Sequence, residues 1–108
     1  MMSFKNTEIN CVTVTEKNSL IIKDNKMKGK GFNIKDIVLF EEININDVKK
    51  TVGIFVYKYN TISYCRFIQF TENTAIIYNC EKEQKQEKEI LLKDIEFLAR
   101  VYFCIKRG

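Results

Sequence analysis

The chain of 108 residues is long enough for one domain, and with 45% hydrophobic and 30% charged residues it can bury a core. It contains no histidine, which excludes Ser-His and Cys-His hydrolases and every zinc site that uses histidine. The net charge of +4 permits an acidic partner but falls short of the concentrated basic face of a dedicated nucleic-acid binder. The functions that remain are catalysis by carboxylate, lysine, cysteine or backbone groups, or binding without catalysis.

The cysteines indicate a cytoplasmic chain with free thiols. They are Cys11, Cys65, Cys80 and Cys104, and no pair has the C-x-x-C spacing of a zinc site or a thioredoxin-like motif. The N-terminus lacks the apolar core of a signal peptide, and no apolar run approaches the length of a membrane span. We therefore expect no metal, no cofactor and no membrane association.

Short apolar runs predict a mainly β domain. The runs are rich in Ile, Val, Phe and Tyr and are separated by Asn, Asp, Gly and Lys, which is typical of strands and turns. Asn60-Thr61, between two such runs, predicts a hairpin. The predicted strands are Val12–Thr15, Leu20–Lys23, Ile37–Phe40, Val52–Tyr59, Ser63–Phe70, Thr74–Tyr78, Lys88–Leu92 and Ala99–Lys106.

The C-terminal third contains two ambiguous segments and one clear strand. Residues 81–89, with charges of alternating sign, predict a solvated hairpin tip or a short helix. Residues 90–98 partly fit one helical face, but we favour a strand followed by a turn. In the last strand, alternation places Val101, Phe103 and Ile105 on one face and Tyr102, Cys104 and Lys106 on the other.

The segment 20–40 (LIIKDNKMKGKGFNIKDIVLF) carries the most information. A short apolar strand leads into a loop with Gly29 and Gly31, and Asp36 opens the next strand. Five lysines in this segment suggest a phosphate cradle, but the pattern G-x-x-x-x-G-K-[ST] is missing and aspartates are interleaved. A solvated loop is the favoured interpretation.

This segment resembles the self-cleaving serine peptidase domain of the LexA and UmuD family, which many phage repressors share. In that family an apolar strand runs into Asp-Ser-Met, a small-residue loop follows, and a Gly-Asp-[Ile/Leu]-Val strand comes next. Here residues 25–31 (NKMKGKG) and 35–39 (KDIVL) keep the same spacing without a gap. Weaker likeness continues through residues 53–60, 63–67 and 99–107.

The resemblance covers about residues 19–107 and implies a single compact domain over residues 1–108. The implied fold is mostly antiparallel β, and the family dimerises through its C-terminal strand region. In this sequence the resemblance implies a dimer strand made of Val101, Tyr102, Phe103, Cys104 and Ile105.

Both positions of the family's catalytic dyad are replaced. Lys26 stands at the serine position and Cys65 at the position of the lysine base. The residues before Lys26 include no glycine or alanine, so the family's Ala-Gly or Cys-Gly cleavage site is missing from them, and we expect no helix-turn-helix domain before the fold. We therefore expect no catalytic residues. We expect a protein-interaction and dimerisation module, acting with a second copy or a regulatory protein in transcriptional regulation or a damage response.

Two alternatives from other classes stay open. A residual peptidase would use Cys65 as the nucleophile, with Lys26 lowering its pKa. The simpler interpretation is that Cys65 is an apolar filler and Lys26 a solvated loop residue. A binder of single-stranded nucleic acid would stack bases on the strand aromatics, which are more often core or cross-strand pairs. Those aromatics are Phe55, Tyr57, Tyr59, Tyr64, Phe67, Phe70 and Tyr78.

Overall fold

The described part of the chain is a mainly antiparallel β structure, as predicted. A computed structural model describes residues 18–107, where helical structure is confined to short 3₁₀ turns. No helix within these residues is both long and apolar enough to cross a membrane. The predicted strand Val12–Thr15 lies outside the described residues. The strands are β1 (Ser19–Ile21), β2 (Ile37–Glu42), β3 (Val52–Tyr59), β4 (Ile62–Phe70), β5 (Thr74–Asn79), β6 (Lys85–Leu91) and β7 (Phe97–Ile105).

β3 and β4 form the hairpin that the Asn60-Thr61 pair predicts. β3 spans the predicted residues, and Tyr59 pairs with Ile62 across a two-residue turn. Asn60 and Thr61 both have positive φ, at 50° and 66°. Two successive residues of this kind form the type I′ turn, whose twist matches that of the flanking strands.

The described strands belong to one sheet with the order β1-β2-β7-β3-β4-β5-β6. β3 to β6 are consecutive antiparallel neighbours, whereas β7 returns from the far edge to lie between β2 and β3. Only Phe97–Arg100 of β7 pairs with β3, although β2 pairs with β7 as far as Ile105. The C-terminal half of β7 therefore has a sheet partner on one side only among residues 18–107.

The sheet buries apolar residues on both of its faces, in two clusters that meet at β3. Phe55 and Tyr57 belong to the first cluster, whereas Val56, on the opposite face of the same strand, belongs to the second. Within residues 18–107 no α-helix covers the sheet, so its apolar faces are buried there by the twist of the sheet and by its connections. The first cluster is Val48, Phe55, Tyr57, Ile68, Phe70, Ala75, Ile77, Ile90, Leu92 and Leu98; the second is Ile22, Val38, Phe40, Val56, Cys65 and Ala99.

The charged segment 81–89 divides between a hairpin tip and a strand. Residues 81–84 connect β5 to β6, and β6 begins at Lys85. A 3₁₀ turn at Leu92–Asp94 follows, and β7 starts at Phe97. The strand-then-turn prediction for residues 90–98 is thus confirmed, and no α-helix forms in this part of the chain.

Candidate functional site

The glycine loop between β1 and β2 is docked against the end of β5. The Gly29 N–H donates to the Cys80 carbonyl at 2.6 Å, and the Cys80 N–H donates to the Lys26 carbonyl at 2.7 Å. A Cβ on Gly29 would overlap the Cys80 carbonyl oxygen, so this position needs a residue without a side chain. Gly31 ends the 3₁₀ turn Lys28–Lys30 in the left-handed conformation, at φ 89°. The two glycines therefore serve backbone geometry.

Lys26, which the resemblance aligns with a serine, forms an ion pair on the surface of the sheet. Its Nζ lies 2.6 Å from Oε2 of Glu87 on β6, and the lysine side chain is 36% exposed. Its backbone N–H donates to the Asp24 carboxylate at 3.0 Å. The side chain is thus engaged by a carboxylate, and no hydrogen bond joins Lys26 to Cys65.

Cys65, which the resemblance aligns with a lysine, belongs to the second core cluster and is 3% exposed. Burial raises the pKa of its thiol to about 12, and the nearby positive charge of Arg66 offsets only part of this effect. A thiol in such surroundings stays protonated at neutral pH, which is the opposite of an activated nucleophile. These surroundings fit an apolar filler.

A cleft of about 260 Å³ separates the end of β1 from the first half of β4. β5 pairs only with Phe67–Phe70 of β4, so residues 62–66 have no strand partner on that side within the described chain. Ile21 and Ile62, one from each wall, are 52% and 55% exposed. The cleft is lined by Leu20, Ile21, Ile22, Lys23, Asp24, Ile62, Ser63, Tyr64, Cys65 and Arg66.

A salt bridge that the sequence reasoning missed joins the two walls of this cleft. The buried guanidinium of Arg66 donates to both carboxylate oxygens of Asp24, at 3.0 and 3.3 Å, and to the Cys65 carbonyl at 2.8 Å. A bidentate pair of this kind fixes orientation as well as distance. It holds the start of the glycine loop against β4 across the cleft.

The side-chain alternation predicted for the last strand is wrong beyond Val101. Phe40 pairs with Val101 but Leu39 pairs with Phe103, so Tyr102 is an extra residue in β7. Such a β-bulge reverses the alternation that follows it. Val101 and Cys104 consequently pack on the same side, against the second core cluster, while Phe103 is 49% exposed.

The strand that the resemblance predicts for dimerisation therefore presents two neighbouring aromatic rings to solvent. Tyr102 is 60% exposed and Phe103 49%, whereas Val101, Cys104 and Ile105 are half-buried. On the side away from β2, residues 101–105 have no ladder to another strand within residues 18–107. An open backbone edge and exposed apolar area thus occur together.

Asp36 fastens the end of β7 to the glycine loop, a role that the sequence reasoning did not assign. Its buried carboxylate accepts from the Asn33 N–H at 2.9 Å, the Lys106 Nζ at 2.9 Å and the Arg107 N–H at 3.1 Å. The hydrogen bond from Asn33, followed by that from Lys106, lowers the pKa of Asp36 from 3.8 to about 2. Lys106 also donates to the Gly31 carbonyl.

The strand aromatics are core residues or cross-strand pairs, which was the favoured interpretation. Phe55 packs edge-on against Phe70, and Tyr57 stacks on Tyr64 with ring centroids 5.1 Å apart. Phe55, Tyr57 and Phe70 are fully buried. These three rings offer no platform on which bases could stack.

The comparisons with known proteins leave the geometry as the basis for a functional assignment. No protein-family model, curated protein or solved structure matches the chain. Within residues 18–107 no group of three or more side chains is arranged to ligate a metal ion. Two surfaces stand out: the cleft beside β4 and the C-terminal half of β7.

Proposed function

We propose that the chain is a LexA/UmuD-like domain without peptidase activity, which acts as a protein-interaction module and pairs with a second copy of itself. The observation that supports this proposal is the C-terminal half of β7, where an open backbone edge lies beside the exposed rings of Tyr102 and Phe103. The strand–loop–strand arrangement of residues 19–42 is compatible with the resemblance but does not establish it.

An open strand edge favours pairing with another chain because its N–H and C=O groups lack partners. When two copies of the same edge pair in antiparallel fashion, every contact occurs twice about a two-fold axis, and the assembly closes as a dimer. Tyr102 and Phe103 would add apolar area that dimerisation removes from water. A second copy therefore satisfies both features of this surface at once.

The resemblance suggests the setting of this module. We extend the proposal to a cytoplasmic protein that contacts a regulatory protein in transcriptional control or a damage response. In this proposal Lys26 and Cys65 stand in place of the serine nucleophile and its lysine base, so the domain binds without cleaving.

Analytical ultracentrifugation tests the homodimer directly. The full chain should sediment as a dimer at high micromolar concentration, and a Tyr102→Lys/Phe103→Lys variant should sediment as a monomer with unchanged circular dichroism. Leu91→Lys, which alters an exposed apolar residue on β6 instead, should remain dimeric. A monomeric wild-type chain at this concentration refutes the dimer, as does a double variant that dimerises as tightly as the wild type.

The cleft favours a second candidate function, the binding of an extended peptide. Residues 62–66 expose a strand edge toward the cleft, and an extended segment could add to that edge as an extra strand. Peptides selected from a random display library should slow hydrogen exchange at the amides of residues 62–66. Selected peptides that protect only other parts of the chain would contradict this function, and time-dependent cleavage of a selected peptide would favour the residual peptidase instead.

A further inference from the structure

The positive charge of the chain is concentrated on one surface. Residues 28–36 and 106–107 contain five of the 18 basic residues but only one of the 14 acidic residues, an excess equal to the whole net charge of +4. The rest of the chain is balanced in charge. The five side chains, which we call the basic loop surface, are all exposed: Lys28, Lys30, Lys35, Lys106 and Arg107.

The fold fixes these two segments against each other. Lys106 binds both the Asp36 carboxylate and the Gly31 carbonyl, and the Arg107 N–H donates to the other oxygen of Asp36. The single acidic residue of the surface is thus buried and already paired with a cation. Lys28, Lys30, Lys35 and Arg107 form no salt bridge within residues 18–107.

We propose that the basic loop surface binds the phosphate backbone of nucleic acid. Unpaired lysine and arginine side chains on a fixed scaffold attract phosphates by charge, and such contacts carry no base specificity. The backbone cannot form a separate phosphate nest here, because the N–H groups of Gly29, Lys30 and Gly31 already donate within the protein. Recognition therefore depends on the side-chain charges.

The sequence indicates the lysines of the loop but not the C-terminal cations beside them, because the parts of this surface are far apart along the chain. Lys106 and Gly31 are separated by 75 residues, and only the fold brings the C-terminal cations beside the loop. The mode of binding also differs from the base stacking considered above. Lys30 covers the ring of Phe67 at 4.3 Å, and Lys106 lies over the ring of Phe32 at 5.6 Å, so these rings carry cations on their faces.

Nucleic acid fits this surface better than an anionic membrane does. Ile34, at 44% exposure, is the one large apolar side chain that residues 28–36 and 106–107 expose among those described. Membrane association of a peripheral surface depends on buried apolar area as well as charge, and a single isoleucine supplies little of it. Phosphates spaced along a nucleic-acid strand need only the charges.

Fluorescence anisotropy with a labelled oligothymidine and with a duplex of the same length tests the proposal. In the test variant, Lys28, Lys30, Lys35 and Arg107 are replaced by glutamine, while Lys106 is kept because it holds Asp36. The matched control removes the same number of positive charges from exposed residues elsewhere in the described chain: Lys49, Lys50, Lys85 and Lys93.

We expect the wild type to bind at least one of the two probes at low salt, with affinity that falls as salt rises. The test variant should bind at least about tenfold more weakly, and its salt dependence should be shallower by about three units of slope for the single strand. The control should stay within about twofold of the wild type. Equal weakening of both variants would show a net-charge effect and overturn the assignment.

Two further outcomes would also overturn it. One is the absence of binding to either probe at low salt. The other is binding of the wild type to phosphatidylserine vesicles with no binding to nucleic acid. Ultracentrifugation of the test variant separates this inference from the proposed dimer, since Tyr102 and Phe103 are unchanged and the dimer should persist.

Discussion

Replacing Asp36 by asparagine should destabilise the fold more than any other removal of a single negative charge from the described residues. The carboxylate is 1% exposed and accepts hydrogen bonds from Asn33, Lys106 and Arg107, with a weaker one from the Cys104 thiol at 4.0 Å. These bonds connect β2, the glycine loop and the end of β7. Asparagine is nearly isosteric, so the substitution changes charge and hydrogen bonding while leaving volume almost unchanged.

The expected magnitude follows from the two donors that share one oxygen. Oδ2 accepts from the Asn33 N–H and from the Lys106 Nζ, both at 2.9 Å. In either orientation of the asparagine amide, its NH₂ group replaces one of the two carboxylate oxygens, so the donors at that position lose their acceptor. Loss of one or two such bonds, one of them charge-assisted, at a buried site should lower the free energy of unfolding by about 2–4 kcal/mol.

Urea denaturation followed by far-UV circular dichroism measures this loss. Asp94→Asn is a suitable control because Asp94 is exposed and its side chain forms no salt bridge within residues 18–107. The control should change the free energy of unfolding by less than about 0.5 kcal/mol. An equally small change for Asp36→Asn would refute the role assigned to this carboxylate.

The lowered pKa of Asp36 adds a dependence on pH. A carboxylate whose pKa is lower in the folded state stabilises the fold above its ordinary pKa, and this stabilisation is lost as pH falls through the folded-state value. For Asp36 that interval runs from 3.8 down to about 2. The difference in stability between wild type and Asp36→Asn should therefore shrink as pH falls through this interval. A difference that stays constant there would contradict the assignment.

Three further experiments test the loop, the hairpin and the buried thiol. Gly29→Ala should lower the free energy of unfolding by about 2 kcal/mol or more, because the added Cβ overlaps the Cys80 carbonyl. Gly31→Ala has open space around it and should cost only about 1 kcal/mol, from the strain of its left-handed backbone. Thermal melting distinguishes the two variants. Thr61→Gly should stabilise the hairpin by up to about 1 kcal/mol in the same assay, since φ is 66° there. In a variant that keeps Cys65 as its sole cysteine, a disulfide reagent should react at neutral pH at least about 100-fold faster after unfolding, because the folded thiol is buried and its pKa is about 12. Equal rates would show that Cys65 is accessible.

The strands of the described region could be predicted because local signals decide them. β3 and its turn to β4 were predicted at the observed residues from β-branched and aromatic content and from a single Asn-Thr pair. β6 was placed too late, at Lys88 instead of Lys85, because its first residues are charged and resemble a loop. Strand pairing with β5 overrides that composition.

The salt bridge across the cleft and the hydrogen bonds from Lys106 and Arg107 to Asp36 could not be predicted in this way. Asp24 and Arg66 are 42 residues apart, and Asp36 and Lys106 are 70 apart, so no local period relates them. From the sequence, Asp36 is predicted only to open a strand. Its burial depends on which strand lies beside it, and the return of β7 to the middle of the sheet decides that.

The bulge at Tyr102 connects the proposed interface to the salt bridge between Lys106 and Asp36. Cys104 pairs with Val38. Lys106 follows Cys104 by two residues, and Asp36 precedes Val38 by two residues, so the two side chains lie on the same face. Strict alternation from Val101 would instead place Lys106 on the opposite face and leave the buried carboxylate without its cation. The extra residue thus corrects the register for Lys106, and it presents Tyr102 and Phe103 to solvent at the same point. The same local irregularity therefore stabilises the end of β7 and exposes the surface through which we propose that two copies pair.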